Sequence, residues 1–261
     1  MPTETEAVEI KSPAEIGWMR EAGAVVGATL GILSDAARAG VSTAELDRIA
    51  ASELAKRKAK PAFLGYRGFP ASLCCSINEE VVHGIPKSNR KLAEGDIIGL
   101  DFGCVVKGFY ADAAVTVSVG KASPEARTLM QVAKEALYKG IDQARPGGRI
   151  GDISRAVQEH VEARGLSVVR AFVGHGIGRA LHEPPAVPNF GRAGTGPRLA
   201  AGMVVAIEPM VNAGKPDVRV LADGWTAVTA DGSLSAHFEH TVAITENGPE
   251  ILTEHGGRNG K

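Results

Sequence analysis

The sequence contains few cysteines, and this bears on both its compartment and its fold. Only three occur among 261 residues, Cys74, Cys75 and Cys104, and no pair has C-x-x-C spacing. Small disulfide scaffolds of oxidising compartments carry many more cysteines for their length. We therefore expect a protein of a reducing compartment whose fold does not depend on disulfide bonds.

Neither sign of charge dominates the chain, and no long apolar run occurs. Lysine and arginine number 29 and aspartate and glutamate number 30, for a net charge of -1. This balance gives no electrostatic reason to expect nucleic acid or an anionic membrane as the main ligand. No stretch approaches the roughly 18 apolar residues of a membrane span, and the opening MPTETEAVEI lacks the basic and apolar regions of an export signal. We expect a cytoplasmic protein.

The chain does contain an internal repeat. The segment LAEGDIIGLDFG, residues 92–103, returns as LAAGMVVAIEPM, residues 199–210, at an offset of 107 residues that lays Asp101 over Glu208. Two copies are too few for a solenoid, so we interpret the chain as two half-domains around a pseudo-twofold axis. Both acids lie in apolar, strand-like runs, where an unpaired carboxylate costs several kcal/mol. The repeat therefore predicts a cation near each acid.

Local patterns favour an α+β fold with an antiparallel sheet. Capping boxes at Ser12–Glu15 and Ser42–Glu45 start two helices. Ser123-Pro124 starts a third, closed by Pro146-Gly147, and a fourth is predicted over about 152–164. Strand-like runs follow each pair of helices, at 61–83, 96–119, 168–173, 203–207, 218–221 and 238–245. Helices and hairpin-connected strands in alternating blocks argue against a doubly wound parallel sheet.

Two acids stand on the arms of one predicted hairpin. Asp101 and Asp112 flank a turn near Lys107-Gly108, and an even-length turn directs both side chains to the same face. Two carboxylates so close repel each other unless one is protonated or a cation bridges them. Taken alone, the hairpin leaves a bound divalent metal and a solvated sheet edge evenly matched as interpretations.

Four further segments favour the metal. They are HGIP at His83, GHGIGRALHEPP with His175 and His182, IEPM at Glu208, and SAHFEHT with Glu239. With these segments the sequence resembles the methionine aminopeptidases, of the type I bacterial kind. The resemblance implies a pita-bread fold, in which two pseudo-symmetric halves surround a curved antiparallel sheet, with helices outside and the site in the concave face.

The resemblance also sets the expected domain limits. It runs from about Ser12 to Thr253, which we take as a single catalytic domain with half-repeats of about 12–120 and 121–253. Residues 1–11 and 254–261 are expected to be terminal tails. The short span between Glu208 and Glu239 leaves no room for the helical insertion of type II enzymes.

By this resemblance, five residues bind two divalent metals, namely Asp101, Asp112, His175, Glu208 and Glu239. Asp112 and Glu239 are expected to bridge the two ions, Asp101 to chelate one, and His175 and Glu208 to complete the other. Four carboxylates and one imidazole suit Mn, Fe, Co or Zn. Two metals about 3.5 to 4 Å apart can hold a bridging water and polarise the scissile carbonyl.

The resemblance assigns catalytic roles to three residues. Glu208 is the candidate base that takes the proton of the attacking water. His182 is expected to hydrogen-bond the substrate carbonyl or its oxyanion, and His83 to contact the scissile amide nitrogen or the leaving amine. We interpret the other histidines as ordinary core or surface residues, namely His160, His237, His240 and His255.

A methionine pocket is implied as well, and its residues form an apolar, polarizable slot: Phe63, Tyr66, Phe69, Cys74, Leu181 and Trp225. Aromatic rings and a soft sulfur can hold an unbranched thioether without a charged anchor. The chain departs from the family pattern at Phe63 and Leu181, which we expect to reshape the pocket. It also departs at Ala113, where a hydroxyl residue is frequent and would offer the metal carboxylates a hydrogen bond.

The implied activity is removal of the initiator methionine from nascent chains whose second residue is small. We expect nascent polypeptide N-termini as the partners, at the ribosome after deformylation, and a monomeric enzyme. One alternative is a proline-specific aminopeptidase or dipeptidase of the same fold, which usually carries a large additional N-terminal domain. Another is a non-catalytic pita-bread binding protein, against which the full set of implied ligands argues.

Overall fold

The first helices begin at the predicted capping boxes. The computed structural model describes residues 8–254, in which α1 spans Pro13–Ala36 and α2 spans Thr43–Lys56. The hydroxyls of Ser12 and Ser42 each accept the N–H of the glutamate three residues later. That glutamate accepts the serine N–H in return, at 2.7 Å before α1 and 2.8 Å before α2. Each cap thus satisfies two backbone donors that would otherwise lack a partner.

The third helix is shorter than predicted. α3 spans Pro124–Ile141 and ends before the expected stop at Pro146-Gly147. Beyond its last residue the chain tightens into i to i−3 bonds, such as that from the Ala144 N–H to the Ile141 carbonyl at 2.9 Å. Tight turns of this kind take up terminal carbonyls of the helix and close it early.

Two other boundaries also differ from the prediction. α4 spans Ile150–Glu162, and it begins early because the Asp152 carboxylate accepts the Arg149 N–H at 2.8 Å. The strand predicted over residues 168–173 is only Ser167–Val168. Its partner strand, Met210–Asn212, has only three residues, so the antiparallel pairing cannot extend to residue 173.

Fifteen strands occur in residues 8–254, and every registered pair is antiparallel. Their bounds are β1 Lys60–Pro61, β2 Leu73–Ile77, β3 Glu80–Val82, β4 Ile97–Val106, β5 Phe109–Ser118, β6 Ser167–Val168, β7 Gly174–Gly176, β8 Glu183–Val187, β9 Val204–Ile207, β10 Met210–Asn212, β11 Val218–Val220, β12 Ala227–Thr229, β13 Ser235–His237, β14 Glu239–Thr245 and β15 Gly248–Ile251. The predicted α+β architecture with an antiparallel sheet is confirmed.

The largest sheet contains the internal repeat. Its nine strands run in the order β1-β4-β5-β14-β9-β7-β8, with β2 beside β4 and β15 beside β14. β4 and β9 hold the two repeated apolar runs, and they lie on either side of the central pair β5 and β14. α1 packs on β4 and β5, and α3 packs on β9 and β14. The order therefore supports two halves around a pseudo-twofold axis, while the domain limits stay predictions.

The main hydrophobic core joins the helices to one face of this sheet. Leu30 of α1 and Leu129 of α3 are fully buried in the same cluster as Leu100 of β4 and Val205 of β9. Side chains alternate along a strand, so Asp101, which follows Leu100, lies on the other face. The face away from the helices is therefore free to form a site.

Two expectations from composition can be compared with the structure. Cys74, Cys75 and Cys104 are all free and buried, so the fold does not depend on disulfide bonds. Within residues 8–254, none of the helices combines the length and the apolar character that crossing a membrane requires.

Candidate active site

Strand register brings the two acids of the hairpin to one face. β4 and β5 pair around Lys107-Gly108, with Asp101 opposite Ala114 and Gly103 opposite Asp112. Asp112 and Ala114 lie two residues apart on β5, so their side chains share a face, and Asp101 shares it with them. The prediction that both carboxylates point the same way is confirmed.

Neighbouring strands bring the other predicted ligands to this face. β14 begins with Glu239, which pairs with Ala114 of β5. His175 of β7 pairs with Ala206 of β9, and Glu208 immediately follows the end of β9. The five predicted ligands thus come from adjacent strands, two from the first half of the chain and three from the second.

The distances among these side chains suit a metal ion. Ligand atoms of Asp112, His175 and Glu239 all lie within 4.8 Å of one another. Nε2 of His175 is 3.7 Å from Oδ2 of Asp112 and 3.5 Å from Oε1 of Glu208. Ligands about 2.0 to 2.2 Å from a shared ion lie about 3 to 4 Å apart. The group is a candidate metal centre.

The electrostatics of the four carboxylates test whether a cation fits. Burial raises the pKa of Asp101 well above its ordinary value, and the neighbouring Asp112 raises it further. Burial raises the pKa of Glu208 and Glu239 in the same way, with Asp112 again the next cause. Asp101 Oδ1 is buried without a hydrogen-bond partner. Four mutually repelling carboxylates, one with an orphaned oxygen, fit a divalent cation.

Within the described part of the chain, no lysine or arginine side chain takes that place. Among residues 8–254, no lysine or arginine forms an ion pair with these four carboxylates, and the only nitrogen atoms within 4.0 Å of Asp112 and Glu208 in an ion-pair geometry belong to histidines. Carboxylates and imidazole are ligands for hard to borderline divalent ions. The donor set and the missing counter-charge therefore both favour a metal.

Two hydrogen bonds orient the candidate ligands. Nδ1 of His175 lies 2.9 Å from the Gly176 carbonyl, and donating there leaves Nε2 unprotonated and free to bind a metal. The Thr241 hydroxyl lies 2.8 Å from the Asp112 carbonyl oxygen and 3.2 Å from Oδ1 of Asp112, and it accepts the Asp112 N–H at 3.1 Å. Threonine on β14 therefore holds a carboxylate on β5.

This contact corrects the expectation for Ala113. Strand alternation directs Ala113 away from Asp112, and its methyl group is fully buried in the core against the helices. A hydroxyl at that position would face the core and not the carboxylates. From the alanine at position 113 we expected Asp112 to lack a neighbouring hydroxyl, and Thr241 provides one.

A close backbone contact positions His83. Its motif runs along β2, where the Cys75 N–H donates to the Gly84 carbonyl at 2.8 Å. A Cβ on Gly84 would lie 2.0 Å from the Cys75 carbonyl oxygen, so only glycine fits there. His83 itself has a φ of 62°, and its ring meets Phe172 and Trp225 edge to face. Burial lowers the pKa of His83 to about 4, which keeps it neutral near pH 7.

His182 lies between His175 of the candidate metal centre and the ring of Tyr66. Its ring centroid is 4.2 Å from that of His175, and its Nδ1 is 2.8 Å from the Tyr66 hydroxyl. Desolvation in the cavity lowers the pKa of His182 to about 3, and His175 contributes next. Like His83, this imidazole is a neutral hydrogen-bonding group near pH 7.

One cavity of about 160 Å³ is lined by all thirteen residues that the sequence predicts for the site. The lining includes the five candidate ligands, both histidines and the six implied pocket residues: Phe63, Tyr66, Phe69, Cys74, His83, Asp101, Asp112, His175, Leu181, His182, Glu208, Trp225 and Glu239. Phe69 and Trp225 meet edge to face at 5.1 Å, and Leu181 is buried. An apolar slot therefore adjoins a cluster of carboxylates.

Sequence reasoning assigned neither Arg67 nor His237 to the site, and it interpreted His237 as an ordinary core or surface residue. Arg67 lines the cavity at its exposed side, next to Tyr66. His237 is buried, and its Nε2 lies 3.8 Å from Oε2 of Glu208 with no hydrogen-bond partner. Its position two residues before Glu239 is the only signal in the sequence, and a break between β13 and β14 separates the two residues.

The other histidines lie elsewhere. His160 Nε2 is 3.0 Å from Oε2 of Glu135, and His240 Nδ1 is 3.0 Å from the Thr253 hydroxyl. Neither lines the cavity. His255 falls outside the described residues.

Comparisons with known proteins agree with this geometry. The model of metallopeptidase family M24 matches residues 17–246. A methionine aminopeptidase of Clostridium acetobutylicum is 55% identical over 244 residues, covering 94% of this chain and 98% of that protein. A crystal structure of methionine aminopeptidase from Thermotoga maritima has a TM-score of 0.94 at 47% identity and covers 95% of this chain and 100% of that one.

A less similar protein shares the fold at low sequence identity. An Xaa-Pro dipeptidase from Bacillus anthracis has a TM-score of 0.76 at 22% identity, covering 95% of this chain and 63% of that one, and so shares the fold alone. The antiparallel sheet with its two halves is the pita-bread fold that the resemblance implies. With a matching family model and relatives about half identical along nearly their whole length, the chain belongs to the methionine aminopeptidases of metallopeptidase family M24.

Proposed function

We propose that this chain removes N-terminal methionine from peptides and nascent proteins whose second residue is small. The observation that carries the proposal is the single cavity in which an apolar, sulfur-edged slot adjoins four carboxylates and three imidazoles. An unbranched thioether side chain suits Phe69, Cys74 and Trp225, because soft and aromatic surfaces grip it without a charged anchor.

We infer that the five candidate ligands would hold two divalent ions, and that the native ion is Mn, Fe, Co or Zn. Bound ions of this kind lower the pKa of water and polarise a carbonyl, which supplies a nucleophile at neutral pH. The raised pKa values of the buried carboxyls and the orphaned Asp101 oxygen support this ligand set.

The chain's own residues then move protons and bind the reacting groups. Glu208 accepts the proton of the attacking water at Oε2 and passes it to the leaving amine. When the Tyr66 hydroxyl donates to Nδ1 of His182, Nε2 keeps its proton and donates to the substrate carbonyl and its developing oxyanion. Neutral His83, which lines the same cavity, contacts the scissile amide nitrogen.

Turnover of paired peptides tests the function. We expect Met-Gly-Met-Met to be cleaved at least tenfold faster than Met-Lys-Met-Met, because a long second side chain collides with the rim of a pocket closed around the first. The protein is first chelated and then reconstituted with Mn, Fe, Co or Zn in separate samples. Equal rates on the two peptides would contradict the size rule, and no cleavage with any metal would contradict the function.

A formylated substrate tests whether the free amine takes part in binding. We expect formyl-Met-Gly-Met-Met to resist cleavage, since a formamide nitrogen has no available lone pair for a metal. Mass spectrometry of paired formylated and free peptides decides this, and efficient cleavage of the formylated peptide would contradict amine coordination. Cleavage of an Xaa-Pro peptide in preference to both would instead favour the proline-specific alternative.

We further propose that the substrates are deformylated nascent chains at the ribosome, and that the enzyme is monomeric and cytoplasmic. The three free, buried cysteines support a reducing compartment. Co-sedimentation with ribosomes and light scattering of the purified protein test the partner and the oligomeric state.

A further inference from the structure

One loop carries two of the cavity residues and has little support of its own. Residues 178–183, called here the His182 loop, connect β7 to the start of β8 and contain Leu181 and His182. Its main chain is tied to the sheet through the Tyr110 N–H, which donates to the Gly178 carbonyl at 2.8 Å. The remainder of the loop consists of bends rather than strand, so side chains must fix its position.

A buried ion pair provides that contact. The side chain of Lys11 is only 2% exposed, and its Nζ pairs with Oε2 of Glu183, whose side chain is 10% exposed. Oε1 of the same carboxylate accepts the Ala180 N–H at 2.9 Å. Glu183 therefore joins the lysine to the backbone of the loop.

The lysine stem also fixes the start of the loop. A Cβ on Gly178 would lie 2.2 Å from Cε of Lys11, so the lysine stem packs directly against the loop at this glycine. The Lys11 N–H donates to the Gly202 carbonyl at 2.8 Å. Gly202 lies just before β9, and Glu208 follows the last residue of that strand. Lys11 thus connects the His182 loop to the strand that leads to the proposed base.

The physics of buried charge favours positioning over stability as the role of this pair. Desolvation costs a buried ion pair about as much as its attraction returns, and apolar replacements of both partners are often neutral or stabilising. Removing one partner is expensive, because the other charge is left buried; without Glu183, Lys11 Nζ would keep only Glu9, whose carbonyl oxygen is 3.3 Å away and whose Oε2 is 3.9 Å away. By contrast, Arg179 in the same loop is exposed and pairs with Glu9 and Glu15, and exposed pairs contribute little.

We propose that Lys11 and Glu183 are positioning residues, whose buried ion pair holds the His182 loop so that Leu181 and His182 meet the substrate. The inference rests on the proposed peptidase function. A displacement of about 1 Å in a group that orients substrate can lower a rate about a hundredfold. Lys11 acts through the loop and does not itself line the cavity.

The test uses Lys11→Met, Glu183→Gln and the double variant, all as reconstituted holoenzyme. We expect kcat on Met-Gly-Met-Met to fall about ten- to a hundredfold in all three, with bound metal per chain unchanged. Amide hydrogen exchange in residues 178–183 should become faster in all three variants. The double variant should recover thermal stability that the single variants lose, because it buries no unpaired charge.

Lys107→Met is the matched control. It breaks a lysine–glutamate pair of the same kind, 2.7 Å from Glu21, but with side chains 53% and 51% exposed. We expect kcat, metal content and loop exchange to stay unchanged in this variant. Should a single variant fail to fold, the double variant carries the test.

Two results would overturn the inference. The first is a stable double variant with the parent's kcat, and the second is loop exchange that does not change in any variant. If the parent protein itself cleaves no methionyl peptide, the proposed function fails, while loop exchange still reports on the ion pair. The two failures are therefore distinguishable.

Discussion

The two halves of the chain place an acid at equivalent points and give it different surroundings. Asp101 lies within β4, and its Oδ1 is buried without a hydrogen-bond partner. Glu208 lies just beyond β9, with Oε1 3.5 Å from His175 and Oε2 3.8 Å from His237. Both imidazoles belong to the second half.

The difference teaches that duplication supplies a carboxylate and the local neighbours determine its use. An oxygen with no donor near it suits a chelating ligand, since only a cation satisfies it. A carboxylate within 4 Å of two imidazole nitrogens lies in polar surroundings, so it can also accept a proton from an attacking water. We therefore expect Asp101 to bind metal only and Glu208 to bind metal and handle a proton.

Matched amides give the largest expected effect and test that division. Glu208→Gln should lower kcat about a thousandfold or more, because it removes a proposed ligand and the proposed base together. Asp101→Asn should lower activity mainly by weakening metal binding, so raising the Mn concentration should restore much of it. The measurement is kcat against Mn concentration for both variants, with circular dichroism to verify the fold. Equal rescue of both would remove the distinction between the halves.

Metal removal should make the stability of the protein depend on the buried carboxyls that both halves contribute. The folded-state pKa values of Asp101, Glu208 and Glu239 lie above their ordinary values, so the metal-free folded chain binds more protons than the unfolded chain. These groups therefore make its stability fall as the pH rises above about 4. A divalent metal at a hundred times its Kd should restore about 2.7 kcal/mol. Thermal unfolding with and without chelator measures both effects.

The buried histidines oppose this trend and need a control. Burial lowers the pKa of His83 to about 4 and that of His237 to about 3, so these groups add stability as the pH rises toward about 6.5. Metal-free Asp101→Asn keeps both histidines and loses one carboxyl. Its stability relative to the parent should increase with pH, and a constant difference would contradict the expected repulsion.

The smallest expected effect concerns a contact between the halves. Thr241→Val removes the hydroxyl that lies 3.2 Å from Oδ1 of Asp112, and we expect metal affinity to fall about ten- to a hundredfold. Ala113→Ser adds a hydroxyl on the opposite face and should leave metal affinity unchanged. Isothermal titration with Mn compares the two. Loss of affinity in the serine variant instead would mean that the core side of β5 controls the carboxylate.

Much of the architecture could be predicted because its signals are local. The capping boxes predicted the starts of α1 and α2, and the alternation around Lys107-Gly108 predicted the shared face of Asp101 and Asp112. The end of α3 and the length of β6 could not be predicted, because they depend on turn hydrogen bonds and on a partner strand of three residues. Such limits are set by tertiary neighbours and not by the segment's own sequence.

In the candidate site too, local motifs could be recognised in the sequence, whereas contacts made by tertiary packing could not. Motif resemblance named thirteen residues that line one cavity, because the motifs contain the chemically reactive groups themselves. Thr241 was missed because it meets Asp112 only where β14 lies beside β5, His237 was interpreted as an ordinary core or surface residue, and Arg67 was passed over although it adjoins Tyr66. The expectation for Ala113 was wrong for a similar reason, as a neighbour in sequence points to the other face of its strand.

The sequence by itself determined that two diverged halves each contribute an acid, that the sheet is antiparallel, and which side chains are the candidates for the chemistry. Repeat offsets, capping boxes and alternation are properties of the chain alone, so they can be read before folding. Only the tertiary structure decided which donor each carboxylate meets, that Thr241 and not residue 113 supports Asp112, and that Lys11 reaches the His182 loop. These contacts join residues up to 172 positions apart. Their geometry depends on packing and strand register, which no local segment specifies.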